Sequence, residues 1–260
     1  MAWNKESIIR LATVDSTNRY MRDNSSELWS KHGESGFVVV TAGHQTAGRG
    51  QRGSTWSSNA GENLLLSILV RPGEALEVKK QFLLSQAVAL CIHDAMKCYG
   101  IDTRLKWPND IYVGKRKLAG ILMELDYSGT FVEQAIIGIG LNVNQEGFPP
   151  MDRVPVSMKM LWKTKNGKQR QDLILDDVLD AVLHSFERYY NELRYGNREA
   201  IATEYGKLLL GIDEVHNFID KDGHFEAVIQ GVESDGHLIL QRTDGGMGRY
   251  AFKEVEMVIF

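Results

Sequence analysis

The sequence predicts an α+β fold, with a mixed, largely antiparallel sheet flanked by helices and a small β domain of hairpins after it. Three observations carry this. Apolar runs of strand length follow one another through residues 103–142 with only short turns between them, which favours antiparallel pairing. Two stretches, 77–99 and 174–195, place apolar residues at helical spacing. Beyond Asp213 only short strands remain, separated by Lys221-Asp222-Gly223, Asp235-Gly236 and Gly245-Gly246.

In chain order, residues 7–14 and 37–42 read as strands, and the segment 17–30 between them reads as helical. Residues 63–70 form a third apolar strand, ended by Arg71-Pro72-Gly73. The helix over 77–99 carries Phe82, Leu83, Val88, Cys91, Ile92 and Ala95 on its apolar positions. Strands at 103–107, 111–113, 118–126 and 131–142 follow, and 145–171, rich in Pro and Lys, reads as a long surface connection. Helices at 174–195 and 198–209 are parted by Gly196-Asn197, and Gly211 supplies a stop. The last strands are 214–219, 225–232, 237–242, 248–252 and 255–259, so the expected domains are 1–211 and 212–260.

A chain of 260 residues exceeds the usual size of one core, which suits a large domain with a small one appended. No apolar run reaches the roughly 20 residues that span a bilayer. The first ten residues lack the apolar core and cleavage site of a signal peptide, so a soluble, cytoplasmic protein is expected. A net charge of -4 and a pI near 6.0 argue against holding DNA through the overall field. The two cysteines, Cys91 and Cys98, are expected as buried thiols on one face of a helix.

Gly48-Arg49-Gly50-Gln51-Arg52-Gly53 matches G-x-G-x-x-G literally, but the dinucleotide reading needs a strand linked tightly to a helix. Here Gly43–Ala47 precedes the loop and polar, unhelical Ser54–Asn59 follows it. The same loop works as a mobile clamp, its glycines admitting close backbone approach and Arg49 and Arg52 offering cations to a carboxylate or phosphate. Lys106-Trp107-Pro108-Asn109-Asp110 sits at a strand end, and Lys117 follows in Arg116-Lys117-Leu118-Ala119-Gly120. Asn142 and Asn144 close a strand among apolar neighbours, where a buried amide must find a partner.

Together with Asp15-Ser16-Thr17-Asn18 and Thr41–Gly50, these segments stand in the order and wording of the biotin protein ligases, and the chain from about 11 to 144 resembles that family. The likeness extends more faintly through Gly231–Leu240. It implies a class II synthetase-like catalytic domain with an SH3-like barrel after it. It also implies a ligase that makes biotinyl-5′-AMP from biotin and ATP with Mg²⁺, then acylates a lysine of a biotin carboxyl carrier domain.

The resemblance assigns residues as well. Ser16, Thr17, Asn18 and Gln45 would surround the biotin ring, where a ureido group needs neutral donors and acceptors. Ser16 also reads simply as a helix cap. Arg49, Gly50 and Gln51 would fold over biotin and its adenylate, beside Gly120. Lys117 would stand at the biotin carboxylate and the α-phosphate, so Lys117 and Arg49 are the candidate catalytic cations. Arg52, Lys106, Asn109 and Asn142 would contact ATP or the adenylate. No protein metal-ligand set is found, so Mg²⁺ would come with ATP. Trp56 and Trp107 read as core, and His44 as a surface or loop histidine.

Many members of that family carry arginine where this chain has Gln51 and Ser54, so weaker retention of the adenylate is expected. An arginine that some place near the C-terminus has no secure counterpart in 252–260. About ten residues precede Leu11, leaving no room for the N-terminal DNA-binding domain of the bifunctional members. A lipoate ligase or octanoyltransferase of the same fold, and a biotin-binding regulator without chemistry, are the alternatives. Strand edges offer pairing to a second copy, as a homodimer, or to the carrier domain, and the sequence leaves both open.

Overall fold

The computed structural model describes residues 8–150, 153–162 and 171–259, with the side chain of Arg52 outside that description. The first strand, β1 (Ile8–Val14), leads into two short helices, α1 (Thr17–Asp23) and α2 (Ser25–His32), and then β2 (Phe37–Gln45). The single helical segment expected over 17–30 breaks at Asn24. That side chain donates to the Tyr20 carbonyl, competing with the helical ladder. After β2 come β3 (Leu64–Val70), β4 (Gly73–Glu77) and α3 (Phe82–Cys98). The helix expected from 77 therefore starts five residues later. Gly73–Glu77 instead pairs with a later strand, and Val78–Lys80 makes one 3-10 turn.

Four strands follow, β5 (Arg104–Lys106), β6 (Asp110–Val113), β7 (Arg116–Ser128) and β8 (Phe131–Leu141). Together they build an eight-stranded sheet whose main path runs β1-β2-β3-β8-β7-β6-β5, with β4 alongside β8. Only the β1–β2 pairing is parallel, and the others are antiparallel as the short links predicted.

The central strands are buried on both faces, because alternate side chains enter different layers. Val39, Leu66, Ile68, Ile137 and Ile139 pack toward α3 and two further helices, α5 (Leu175–Tyr195) and α6 (Arg198–Lys207). Val38, Val40, Leu69 and Ile136 face the other way, against Met21 of α1 and Leu28 of α2. Cys91 sits in the larger layer at no exposure, and burial raises its thiol pKa. Cys98 is exposed, contrary to expectation, because it ends α3 where the helix leaves the core.

The connection 145–171 is more than a surface loop. It contains a short helix, α4 (Met158–Leu161), and residues 153–156 lie along β7. Lys117 N donates to the Val154 carbonyl at 2.8 Å and Val156 N to the Lys117 carbonyl at 2.9 Å. Its part from 163 to 170 lies outside the described residues. The C-terminal strands β9 (Val215–Asp220), β10 (Gly223–Val232), β11 (Leu238–Arg242), β12 (Met247–Tyr250) and β13 (Val255–Met257) form an antiparallel five-stranded sheet. Its hydrogen-bonded order is β12-β11-β10-β9-β13, with the stacked rings of Phe218, Phe225 and Tyr250 among its residues. No helix among the described residues is long and apolar enough to cross a membrane.

Candidate functional site

The second face of the large sheet is covered by α1 and α2 only at one end, and the register shows why the other end is open. Across the strands, Gly140 lies beside Gly120 on β7 and Leu65 on β3, while Gly138 lies between Leu122 and Ser67. Two glycines abreast and a serine beside a third make a trench in a sheet that is otherwise aliphatic. A Cβ on Gly140 would come within 2.4 Å of the Trp56 indole, and one on Gly138 within 2.4 Å of Asn18 Oδ1. A cavity of about 1460 Å³ rises from this floor and is lined on its far side by the C-terminal sheet.

One end of the cavity is neutral and hydrogen-bonded. The Thr17 amide donates to Gln45 Oε1 at 2.8 Å and its hydroxyl to the same oxygen at 3.1 Å. Ser67 Oγ, wholly buried in β3, lies 2.8 Å from Thr17 Oγ1 and 2.6 Å from Asn18 Oδ1. Asn18 Nδ2 reaches the Leu122 carbonyl and Glu124 Oε1. Ser16 stands at the helix-cap position, yet its side chain makes no capping bond, so capping does not explain its burial there.

The glycine-arginine loop is a tight hairpin over the trench. Gly50 N donates to the Ser54 carbonyl at 2.7 Å and Trp56 N to the Gly48 carbonyl at 3.0 Å, while Gln51–Gly53 make one 3-10 turn. No helix follows, so the strand-loop-helix geometry of a dinucleotide fingerprint is not formed. Arg49 pairs with Glu124 at 3.4 Å, and Glu124 is held from its other oxygen by Arg22 at 2.8 Å. Gln51 Oε1 and Trp56 Nε1 are buried without hydrogen-bond partners among the described residues.

The other end is cationic. Asp110, 5% exposed, is the junction: Oδ1 lies 2.6 Å from Lys117 Nζ and Oδ2 lies 2.8 Å from an Arg153 nitrogen. Lys117 also stands 5.6 Å from the centre of the Trp56 ring. Lys106 is 9% exposed and has no hydrogen-bond or ion-pair partner among the described residues. Burial lowers its pKa first, and the charge of Arg153 lowers it further. Asn109 and Asn142 spend their amide N–H groups on backbone, Asn109 on the Ile121 carbonyl and Asn142 on the Val156 and Lys117 carbonyls. They fix the walls of the cavity as well as lining it.

The cavity thus brings together Ser16, Thr17, Asn18, Gln45, Arg49, Gly50, Gln51, Lys106, Asn109, Lys117, Gly120 and Asn142, the site residues the sequence predicts. Arg52 is the exception, its side chain being outside the described residues. Trp56, read from sequence as core, lines the cavity instead, because the glycines beneath it leave no core there to enter, whereas Trp107 packs against the larger core as expected and also lines the cavity. Trp107 donates to the Gly236 carbonyl at 2.9 Å, tying the lysine-rich wall to the C-terminal sheet. His44 does not line the cavity; it lies in β2.

Ser67, Asp110, Glu124 and Arg153 were not assigned from sequence. A lone serine in the buried run Asn63–Val70 was a legible signal, and Asp110 sat inside a segment already singled out. Nothing in the spacing marked Glu124 or Arg153.

The chain matches the model of the biotin/lipoate A/B protein ligase family over residues 11–142. It is 39% identical over 248 residues to the bifunctional ligase/repressor BirA of Escherichia coli, covering 91% of this chain and 70% of that one. The match to BirA of Bacillus spizizenii, at 31%, spans 84% of this chain and 66% of that protein, just under two thirds. The biotin–[acetyl-CoA-carboxylase] ligase of Paracoccus denitrificans is 33% identical and is covered over 98% of its length, with 95% of this chain aligned. Among solved structures, a biotin protein ligase from Aquifex aeolicus in complex with biotin and ATP superposes with a TM-score of 0.78 at 22% identity, covering 98% of this chain and 100% of that one. At that identity the superposition speaks for the fold.

The contact of Asn18 with Gly138 is testable without a ligand. Both lie against a strand fixed by pairing on two sides, so Gly138→Ala is expected to cost about 1–3 kcal/mol by overpacking. Urea denaturation measures it, and wild-type stability in the variant would show that Asn18 is free to move.

Proposed function

The chain belongs to the biotin/lipoate A/B protein ligase family, and we propose that it activates biotin with ATP as biotinyl-5′-AMP and passes the biotinyl group to a lysine of a biotin carboxyl carrier domain. The observation that carries this reading is the polarity of one cavity, with neutral amides and hydroxyls at one end and cations gathered on Asp110 at the other. A ligand with a ureido ring at its head and a carboxylate at its tail, meeting a nucleoside triphosphate, has the same polarity.

In the first step a carboxylate oxygen of biotin attacks the α-phosphorus, the bond to the β-phosphate oxygen breaks, and pyrophosphate leaves. Charge grows on oxygens around phosphorus, and Lys117 at the middle of the cavity is the fixed cation for it. Arg49 reaches the carboxylate by leaving Glu124. In the second step the ε-amine of the carrier lysine attacks the acyl carbon, the bond to AMP breaks, and the amine loses a proton to water. The protein supplies position, charge and exclusion of water, and no side chain need become acylated. Mg²⁺ would neutralise the triphosphate; both oxygens of Asp110 are already engaged by cations, which suits an ion carried in on the phosphates. The segments 1–211 and 212–260 act here as two walls of one site.

Pyrophosphate release, measured with biotin, lipoate or octanoate in separate reactions, tests the reading. Release that needs biotin, followed by label fixed on a carrier lysine, is expected. Release with lipoate alone would move the chain to another branch of the family. Lys117→Ala is expected to slow the first step by about 10²–10³-fold; an active variant would unseat Lys117.

Lys106 gives a pH dependence. Its charged form holds phosphate, and its pKa is lowered by burial, so that charge is lost as pH rises through a value below the ordinary lysine range. The kcat/KM for ATP is expected to fall on that alkaline limb. In Lys106→Arg the limb should move upward, and a limb that stays put belongs to another group.

Gln51 presents a neutral amide where a cation would hold the adenylate. Gln51→Arg is expected to lower the rate at which biotinyl-5′-AMP escapes in a filter-binding chase, and equal rates would remove Gln51 from the account.

A further inference from the structure

Arg153 belongs to a segment whose sequence suggested nothing but a surface connection. In the structure, residues 153–156 run beside β7 through two backbone hydrogen bonds to Lys117, which fixes where the Arg153 side chain starts. One guanidinium nitrogen meets Asp110 Oδ2 at 2.8 Å, and the other terminal nitrogen is 3.8 Å from Glu256 Oε1, beyond hydrogen-bond length. Of the five N–H donors a guanidinium carries, the bond to Asp110 uses one. The side chain is 49% exposed, and it lines the cavity.

The surroundings are unbalanced in charge. Lys106, Lys117 and Arg153 gather about one buried carboxylate, while Glu256 is distant and exposed. Lys106, nine-tenths buried, has no direct partner among the described residues. With Lys106 itself desolvated, this excess of cations around one buried carboxylate is costly until an anion arrives. The order along the cavity decides which anion. Lys117 faces the neutral end, over Trp56, whereas Arg153 lies across Asp110 toward Glu256 of the C-terminal sheet. In an in-line displacement the leaving group departs on the side of phosphorus opposite the attacking carboxylate.

We infer that Arg153, with Lys106, binds the β- and γ-phosphates of ATP and holds them as pyrophosphate leaves, while Lys117 serves the α-phosphate. This rests on the ATP-dependent reading above. Planar, bidentate recognition of phosphate is what a guanidinium does better than an ammonium. Asp110 and Glu256 keep Arg153 extended into the cavity before the nucleotide comes.

The two half-reactions separate this role from a structural one. Full-length wild type, Arg153→Ala and Arg153→Lys are compared in biotin-dependent exchange of labelled pyrophosphate into ATP. The same proteins are compared in transfer to a carrier domain from supplied biotinyl-5′-AMP, which uses no pyrophosphate. In the exchange, the KM for pyrophosphate should rise about tenfold or more in Arg153→Ala and recover partly in Arg153→Lys. Transfer from the supplied adenylate should stay within about twofold of wild type, the arginine having no phosphate to hold in that step. An unchanged KM for pyrophosphate, or equal losses in both assays, would overturn the assignment. Absence of biotin-dependent exchange in the wild type would instead overturn the ligase reading on which it rests.

Discussion

The constraint on which the site depends is the close approach that three glycines permit on one face of a sheet buried on both sides. Gly120 and Gly140 stand abreast, and Gly138 stands beside Ser67. Every neighbouring position on these strands carries a side chain that would fill the space, as the aliphatic layer on the opposite face does. A sheet covered by helices on both faces would have no site. Here α1 covers the second face only as far as Asn18, whose amide rests on Gly138, and the trench lies beyond the N-terminus of the helix. The fold therefore sets the position of the neutral polar groups at this end: Thr17 and Asn18 lie in the first turn of α1 and are braced by Ser67 from the floor.

Asp110 performs a comparable service at the cationic end. A buried carboxylate with a cation on each oxygen lets two positive side chains be held near Lys106 without the mutual repulsion that would drive them apart. Its attraction is no simple gain in stability, because desolvating the carboxylate offsets much of the Coulomb energy. What it fixes is direction. Lys117 comes from β7 and Arg153 from the segment beside it, so the charge pair and the two backbone hydrogen bonds between those segments constrain the same few residues. Arg153 also reaches toward Glu256, and Trp107 bonds to Gly236, so the C-terminal sheet is tied to the cation cluster and to the wall beside it.

Most of the fold was legible because its signals are local. Short continuous apolar runs gave β2, β3 and β8, helical spacing gave α3 and α5, and turn residues gave the C-terminal strands. What failed was also local in cause. Gly73–Glu77 lacks strand-like residues and becomes β4 only by pairing with β8. Asn24 breaks a helix through a side-chain bond that spacing does not show. At the site, motif wording located the loop, Lys106, Lys117 and the amides, which lie within single runs of sequence. Glu124 and Arg153 act through partners 75 and 43 residues away, and such pairings arise from topology. Trp56 was misread for a related reason: an indole is core or cavity wall according to what lies under it, and the glycines under it are in other strands.

Those same glycines set how firmly the loop is held. The ion pair between Arg49 and Glu124 is long, and Arg49 is half exposed, so its contribution is at most about 1 kcal/mol. The larger attachment is the Trp56 indole, half-buried over Gly120 and Gly140. Half-burying such a ring is worth less than the roughly 1.5–3 kcal/mol of full burial, while its Nε1, buried with no partner among the described residues, costs about 1–3 kcal/mol. The two terms nearly cancel. The hairpin's net attachment over the trench is therefore weak. A molecule that fills the trench and gives Trp56 Nε1 and Gln51 Oε1 the partners they lack among the described residues would strengthen that attachment by its contacts alone.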